Sequence, residues 1–164
     1  MKKVSGLSKR LLPIVCASIL SAMLFAGCKK DDNKNNNPSS YTISGNASGS
    51  QMVPPVTGNG TATITGTYDP NTKVLTYTTN WSGLSGAPTS AGFYSGASGT
   101  NGTLVGSSWN LGSGLAATGT FSGQTTLSAD QATQLTSGNW YYTLGTASNT
   151  NGEVRGQITA TATP

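Results

Sequence analysis

Glu153 and Arg155, an oppositely charged pair near the end of the sequence, are the side chains best suited to chemistry in a weakly charged chain. Residues two apart on a strand share a face, so these groups can pair with each other or bond the neighbouring backbone. A carboxylate beside an always-protonated guanidinium is a poor general base. We therefore interpret the pair as a structural brace around the preceding turn and expect no enzymatic activity.

The residue types that other chemistry requires are scarce. The chain has no histidine, the commonest general base and transition-metal ligand, and only two cysteines, Cys16 and Cys28. Without histidine no nucleophile–base pair is available. Asp69 opens a predicted turn and Asp130 lies in the first turn of a predicted helix, so the carboxylates form no calcium cluster. The sequence predicts no catalytic residue, no metal site and no cofactor.

Residues 1–27 have the order of a secretory signal peptide: a basic start, an apolar stretch and small residues before Cys28. The apolar stretch is shorter than the ~20 residues that span a bilayer, which argues against the alternative of a transmembrane anchor. The segment Leu24-Phe25-Ala26-Gly27-Cys28 resembles a bacterial lipobox, which implies cleavage before Cys28 and acylation of its sulfur. An ordinary signal peptide with a chance cysteine is the other alternative.

Residues 28–40 are predicted to be a lipidated cysteine and a disordered tether, because residues 29–40 have no apolar side chain to bury. Residue 29 is Lys and not Asp, and an Asp there would resemble the signal that retains lipoproteins in the inner membrane. An outer-membrane lipoprotein is therefore expected, facing the periplasm or the cell surface. The run Lys29-Lys30-Asp31-Asp32 resembles a surface-export signal, with a plain solvated linker as the alternative. The membrane, reached through the lipid anchor, is the expected partner.

The formal net charge of +4 is concentrated before the predicted domain. Residues 41–164 have two basic residues, Lys73 and Arg155, against the three acidic residues Asp69, Asp130 and Glu153. A nucleic-acid-binding surface needs a basic patch, so nucleic acid is excluded as a partner.

Residues 41–164 are rich in Thr, Ser and Gly, and several segments alternate apolar and polar residues as half-buried strands do. Strands are predicted over 41–47, 61–68, 75–81, 91–95, 102–111, 117–126, 140–144 and 154–162. Turns are predicted at 69–72 and 149–152. Ser128 with Gln131 forms a capping-box pattern, and Gly138 is a predicted helix end. The pattern predicts an all-β domain: a mostly antiparallel immunoglobulin-like β-sandwich or flattened barrel of about eight strands with one short helix.

The aromatic residues allow two interpretations. They are concentrated at Trp81, at Trp109 and in the run 140–142. Buried rings would fill the core together with aliphatic residues such as Leu104. Exposed rings would offer flat faces to a sugar, which makes a polysaccharide-binding module the alternative function. A protein partner and a glycan partner both remain open.

Five segments of residues 41–164 resemble, in order, motifs of the CHRD domain family, which was defined in chordin and is widespread in microbial proteins. They are Gln51-Met52-Val53-Pro54-Pro55-Val56, Leu75-Thr76-Tyr77 with Ser82-Gly83-Leu84, Gly138-Asn139-Trp140-Tyr141, and Asn151-Gly152-Glu153-Val154-Arg155-Gly156-Gln157-Ile158. The resemblance implies a CHRD-like β-domain over 41–164. With the leader, it implies a membrane-tethered extracytoplasmic lipoprotein with a non-catalytic structural or binding role.

The chain departs from the family where histidines are common. Family members often carry A-H-I-H-G in the middle and V-H-T before the close, whereas this chain has Gly92, Tyr94 and Gly145 at the histidine positions. A metal role suspected for the wider family is therefore not implied here, and the resemblance points to a scaffold or a surface.

Overall fold

The computed structural model describes residues 38–164, so Cys28, the predicted signal peptide and most of the predicted tether lie outside the described residues. The described elements are β1 (Ser40–Ser48), a 3-10 turn (Gly49–Gln51), β2 (Thr61–Asp69), β3 (Val74–Ser82), β4 (Pro88–Ser95), β5 (Thr103–Val105), β6 (Gly119–Thr126), α1 (Ala129–Thr136), β7 (Trp140–Thr146), β8 (Val154–Gln157) and β9 (Thr159–Thr163). No helix among them is long and apolar enough to cross a membrane.

The strands form one antiparallel sheet in the order β5-β4-β7-β8-β1-β2-β3-β6, with β9 also paired to β1. The backbone N–H of Ile158, between β8 and β9, donates to the carbonyl of Trp140 at 2.8 Å. The sheet is curled into a half-barrel. The curl brings β3 opposite β4, as shown by the rings of Tyr77 and Phe93, whose centroids lie 4.8 Å apart. The predicted all-β, mostly antiparallel fold with one short helix is thus confirmed, in the form of a curled half-barrel.

Alternating side chains of the strands fill the concave side of the sheet. In β2 and β3 the residues that face inward are buried and most of their neighbours are exposed, as the period-two pattern predicts. The loop after β5 adds Trp109, whose ring stacks on that of Phe121 at 5.5 Å and whose backbone N–H donates to the carbonyl of Ala91. The core therefore joins the two ends of the curled sheet.

Two expectations about the middle of the chain were wrong. Only Thr103–Val105 of the predicted strand 102–111 pairs with β4, because Gly106 takes a left-handed conformation with φ of 69° and ends the ladder. Leu104 lies on this short edge strand and is 41% exposed, so it is not a core residue.

The short helix was correctly predicted from its termini. The Ser128 hydroxyl accepts a hydrogen bond from the backbone N–H of Gln131, and the Gln131 side chain accepts one from the N–H of Ser128. Gly138, with φ of 73°, follows the C-cap residue Ser137.

The convex face over β1, β2, β3 and β6 is built from hydroxyl side chains. Thr67 of β2 lies in register between Thr42 of β1 and Thr76 of β3. Two residues earlier in β2, Thr65 lies between Ser44 and Thr78 in the same way. Of the five Asp, Glu, Lys and Arg side chains in the described residues, Glu153 and Arg155 are buried.

Candidate functional site

Glu153 is a buried carboxylate held by four hydrogen bonds. It follows Gly152 in the β7–β8 connection and is 4% exposed. Its Oε1 accepts from the backbone N–H of Ser85 at 2.7 Å. Its Oε2 accepts from the Ser85 hydroxyl, from Thr146 Oγ1 at 2.6 Å and from Asn149 Nδ2 at 3.3 Å. Burial alone would raise the pKa of Glu153, but the hydrogen bonds from Ser85, Thr146 and Asn149 outweigh it, so the pKa is lowered.

Arg155 on β8 holds a different loop. Its guanidinium donates to the carbonyl of Thr100 at 2.8 Å and to that of Ala97 at 2.9 Å, and it lies 3.6 Å from the centre of the Tyr141 ring. Desolvation by burial lowers the pKa of Arg155. Glu153 and Arg155 form no ion pair with each other; each bonds a separate loop.

The Tyr141 ring lies between two partners on the convex side of the sheet. Tyr94 of β4 stacks on it with ring centroids 5.3 Å apart, and Arg155 covers it from β8. The Tyr141 hydroxyl accepts a hydrogen bond from the backbone N–H of Gly102 at 2.9 Å. Together with Arg155, this bond fixes the 96–102 loop over the sheet.

Next to this stack lies a cleft of about 620 Å³. One wall is the segment after the 3-10 turn, with Met52, Val53, Pro54 and Val56. The rest is formed by segments that lie far apart in the sequence: Tyr94, Asn101, Gly102, Tyr141 and the turn 148–152. No Asp, Glu, Lys or Arg side chain lines this cleft. Its volume falls within the range of 300–1,000 Å³ typical of small-molecule sites.

The walls of the cleft, which we call the motif cleft, are tied together by hydrogen bonds. Asn101 Nδ2 donates to the carbonyl of Val53 at 2.9 Å, which links the 96–102 loop to the opposite wall. Asn149 is linked through Glu153 to Ser85. In contrast, the side chains of Ser148, Thr150 and Asn151 are exposed and make no hydrogen bond to another residue in the part of the chain described.

The positions that the family resemblance aligns with histidine share one face of two paired strands. Gly92 lies opposite Thr143, Tyr94 opposite Tyr141, and Gly145 opposite Ser90. At Gly145 a Cβ would lie 2.5 Å from Ser90 Oγ and 3.0 Å from the carbonyl oxygen of Asn149, so the turn occupies the space of a side chain. Within residues 38–164 no three or more His, Cys, Asp or Glu side chains gather as metal ligands. Two glycines and a tyrosine at these three positions do not fit the transition-metal site that histidines there would form.

The aromatic residues predicted as a platform are buried, most of them in the core and Tyr141 under the 96–102 loop. Trp81, Trp109, Trp140, Tyr141 and Tyr142 are all buried, and Leu104 is the one large apolar side chain in residues 38–164 that is exposed. The alternative predicted from the sequence, polysaccharide binding through exposed rings, needs rings at the surface, and these five are not there. These side chains point into the half-barrel or under the 96–102 loop, where burial of their large apolar area stabilises the fold.

Sequence reasoning found Glu153 and Arg155 but missed their partners. Ser85, Thr100 and Asn101 are distant in sequence and carry no motif of their own. The Asn101-Gly102 dipeptide is a turn signal and could have shown that a loop ends there. Nothing in the sequence indicates that this loop reaches Val53.

The fold and the motif cleft define an all-β domain with a preformed, uncharged surface cleft. A family model described as the CHRD domain matches residues 43–158. The chain belongs to the CHRD domain family. Comparison with curated proteins and with solved structures gives no match. Family membership indicates an extracellular or binding-type domain.

Proposed function

We propose that this protein is a lipid-anchored, extracytoplasmic, non-catalytic binding domain whose binding site is the motif cleft. One observation carries the proposal: three separate family-like segments, 51–56, 138–141 and 151–158, contribute residues to the same cleft. A purely structural role would not require these segments to surround an open and uncharged cavity.

The absence of catalysis is supported by the state of the one buried carboxylate among residues 38–164. Both oxygens of Glu153 accept hydrogen bonds from the protein, and the chain has no histidine to act as a base. General acid–base catalysis needs a group within hydrogen-bond reach of the substrate. Glu153 is instead turned toward Ser85 and Thr146.

The anchor is supported by the leader and by Cys28 in its lipobox-like segment. Several acyl chains hold a protein at a membrane stably, whereas one chain binds marginally. In this proposal the lipid attaches the protein to the outer membrane, and the domain faces the periplasm or the cell surface.

The anchor is tested by replacing Cys28 and comparing fractions. Cys28→Ala should move the protein from the membrane fraction to a soluble or unprocessed form. Cys16→Ala is the matched control, because that cysteine lies within the predicted leader and its loss should leave the protein at the membrane. Unchanged fractionation of Cys28→Ala, with no acyl mass on the N-terminal peptide, would contradict the anchor. Protease treatment of intact cells then distinguishes the surface from the periplasm.

Binding is tested by amide NMR spectra of isotope-labelled full-length protein in detergent micelles. Three probes are titrated separately: neutral glucan oligosaccharides, oligogalacturonides and a mixture of short uncharged peptides. We expect at least one probe to shift amides of residues 52–56, 101–102 and 148–152. If none of the three shifts these amides, the motif cleft is not a binding site and the proposal fails.

A further inference from the structure

We propose that the ligand of the motif cleft is a neutral glycan chain. This inference rests on the proposed binding function and adds the chemical class of the ligand. It depends on three properties of the cleft: its lack of charge, its free hydroxyl and amide groups, and its apolar wall. The predicted stacking on exposed rings has no part in it, because those rings are buried.

The charge of the cleft argues for an uncharged ligand. A charged group moved from water into a site without a counter-charge loses hydration free energy that nothing in the site replaces. The lining residues include no Asp, Glu, Lys or Arg. The two buried charges nearby are already occupied, since Glu153 is bonded by Ser85, Thr146 and Asn149 and Arg155 by two loop carbonyls.

The polar side chains of the cleft that have no partner in the protein are suited to hydrogen bonds with ligand hydroxyls. Ser148 and Thr150 offer hydroxyls that donate and accept, and Asn151 offers an amide that does both through separate atoms. A ligand that satisfies such groups must itself carry closely spaced groups that donate and accept. Sugar hydroxyls have this property, whereas an apolar ligand would leave the protein groups without partners.

The opposite wall supplies apolar contacts. Met52, Val53, Pro54 and Val56 present aliphatic surface, and the half-buried Tyr94 ring adds the edge of the stack. A sugar ring has C–H faces between its hydroxyls, so it can contact this wall while its hydroxyls reach the turn 148–152. Pro54, Thr150 and Asn151 are exposed, so the cleft opens to solvent and a longer chain can continue out of it.

The geometry is set before a ligand arrives. The bond from Asn101 to the Val53 carbonyl and the bond from Gly102 to the Tyr141 hydroxyl hold both sides of the cleft. A preformed site loses little conformational entropy on binding. This rigidity favours affinity and selectivity, because little of the interaction free energy is lost in ordering the site.

The test uses the full-length protein in detergent, with the same neutral glucan oligosaccharides, oligogalacturonides and uncharged peptides. Asn151→Ala should weaken binding of the neutral glucans about three- to ten-fold, the effect of one hydrogen bond, and leave the thermal unfolding temperature unchanged. Asn71→Ala is the matched control, because Asn71 is an exposed turn asparagine remote in the fold from the cleft, in the β2–β3 hairpin. It should not alter binding.

The outcomes separate the two proposals. Shifts of cleft amides by neutral glucans, with an affinity that Asn151→Ala lowers and added salt does not alter, support the inference. Shifts of the same amides by oligogalacturonides or peptides alone overturn the neutral glycan and leave the binding function standing. Glucan binding that Asn151→Ala does not weaken, or that maps outside the cleft, also overturns the inference. No shift with any probe rejects both.

Discussion

Single residues of this domain show how a buried charge is accommodated without an opposite charge. Their spacing places Glu153 and Arg155 in position to pair, yet each is satisfied by neutral groups from a different loop. A buried ionised group needs hydrogen bonds to replace its lost hydration, and hydroxyls, an amide and backbone groups supply them here. Arg155 therefore connects β8 to the 96–102 loop beside the motif cleft, and Glu153 connects the turn before β8 to the β3–β4 loop.

Replacing the Glu153 carboxylate should destabilise the domain. In Glu153→Gln one acceptor oxygen becomes an NH₂ group that faces other donors, so we expect the free energy of unfolding to fall by about 1–3 kcal/mol. Urea denaturation at neutral pH measures the change. Asp69→Asn is the control, because it removes a half-buried turn carboxylate while keeping the acceptor for the N–H of Asn71; a comparable loss in this variant would contradict a specific role of Glu153.

The stability difference between the wild type and Glu153→Gln should depend on pH. The pKa of Glu153 is lowered in the folded protein, so the ionised group stabilises the fold above its unfolded pKa of about 4.3. This contribution is lost as the pH falls through the folded value. The gap in stability between wild type and Glu153→Gln should be full above about pH 5 and shrink on acidification below about pH 4. A gap that is constant with pH would contradict the shifted pKa.

At the scale of elements, period-two alternation predicted the strands well where one face is buried along the whole segment. In β2 and β3 buried and exposed positions alternate with few breaks, so pattern and structure agree. The prediction of a strand over 102–111 was wrong because the pairing stops at Gly106. The chain then turns back and places Trp109 in the core. Such a reversal depends on contacts with Phe121 and Ala91, which local sequence does not encode.

The motif cleft was beyond sequence reasoning for the same reason. Its motifs were recognised one by one, but their meeting point depends on the curl of the sheet and on the path of the 96–102 loop. The bond between Asn101 and Val53 joins residues 48 positions apart. Only the folded arrangement brings these walls together.

A substitution at Gly145 tests whether the β7–β8 turn fills the space that a side chain at this position would need. In Gly145→Ala the new Cβ meets Ser90 Oγ and the carbonyl of Asn149, so we expect a loss of about 1–3 kcal/mol in the free energy of unfolding. Adding Ser90→Ala should recover part of the loss, because it removes the nearest atom. Gly86→Ala, where a Cβ meets nothing within 4 Å, is the control and should change stability little. Equal effects of Gly86→Ala and Gly145→Ala would refute the steric explanation.

For the whole molecule, we predict that folding is independent of transition metals. The residues at the family's histidine positions are Gly92, Tyr94 and Gly145, none of which replaces an imidazole as a ligand. Thermal unfolding of protein treated with a chelator should match that of untreated protein, and elemental analysis should show no stoichiometric zinc or copper. A melting temperature that falls on chelation and returns when zinc or copper is added back would contradict this prediction.

The near absence of charge on the outside of the domain has a consequence for its surroundings. With Glu153 and Arg155 buried, Asp69, Lys73 and Asp130 are the side chains that carry charge at the surface of residues 38–164. Dissolved ions act on a protein by screening its exposed charges, and here they find almost nothing to screen. Screening by salt therefore changes the interactions of this surface little, and hydration of its hydroxyl groups rather than mutual repulsion keeps it in solution. Long-range attraction to a charged envelope, or repulsion from one, therefore contributes little to where this domain lies.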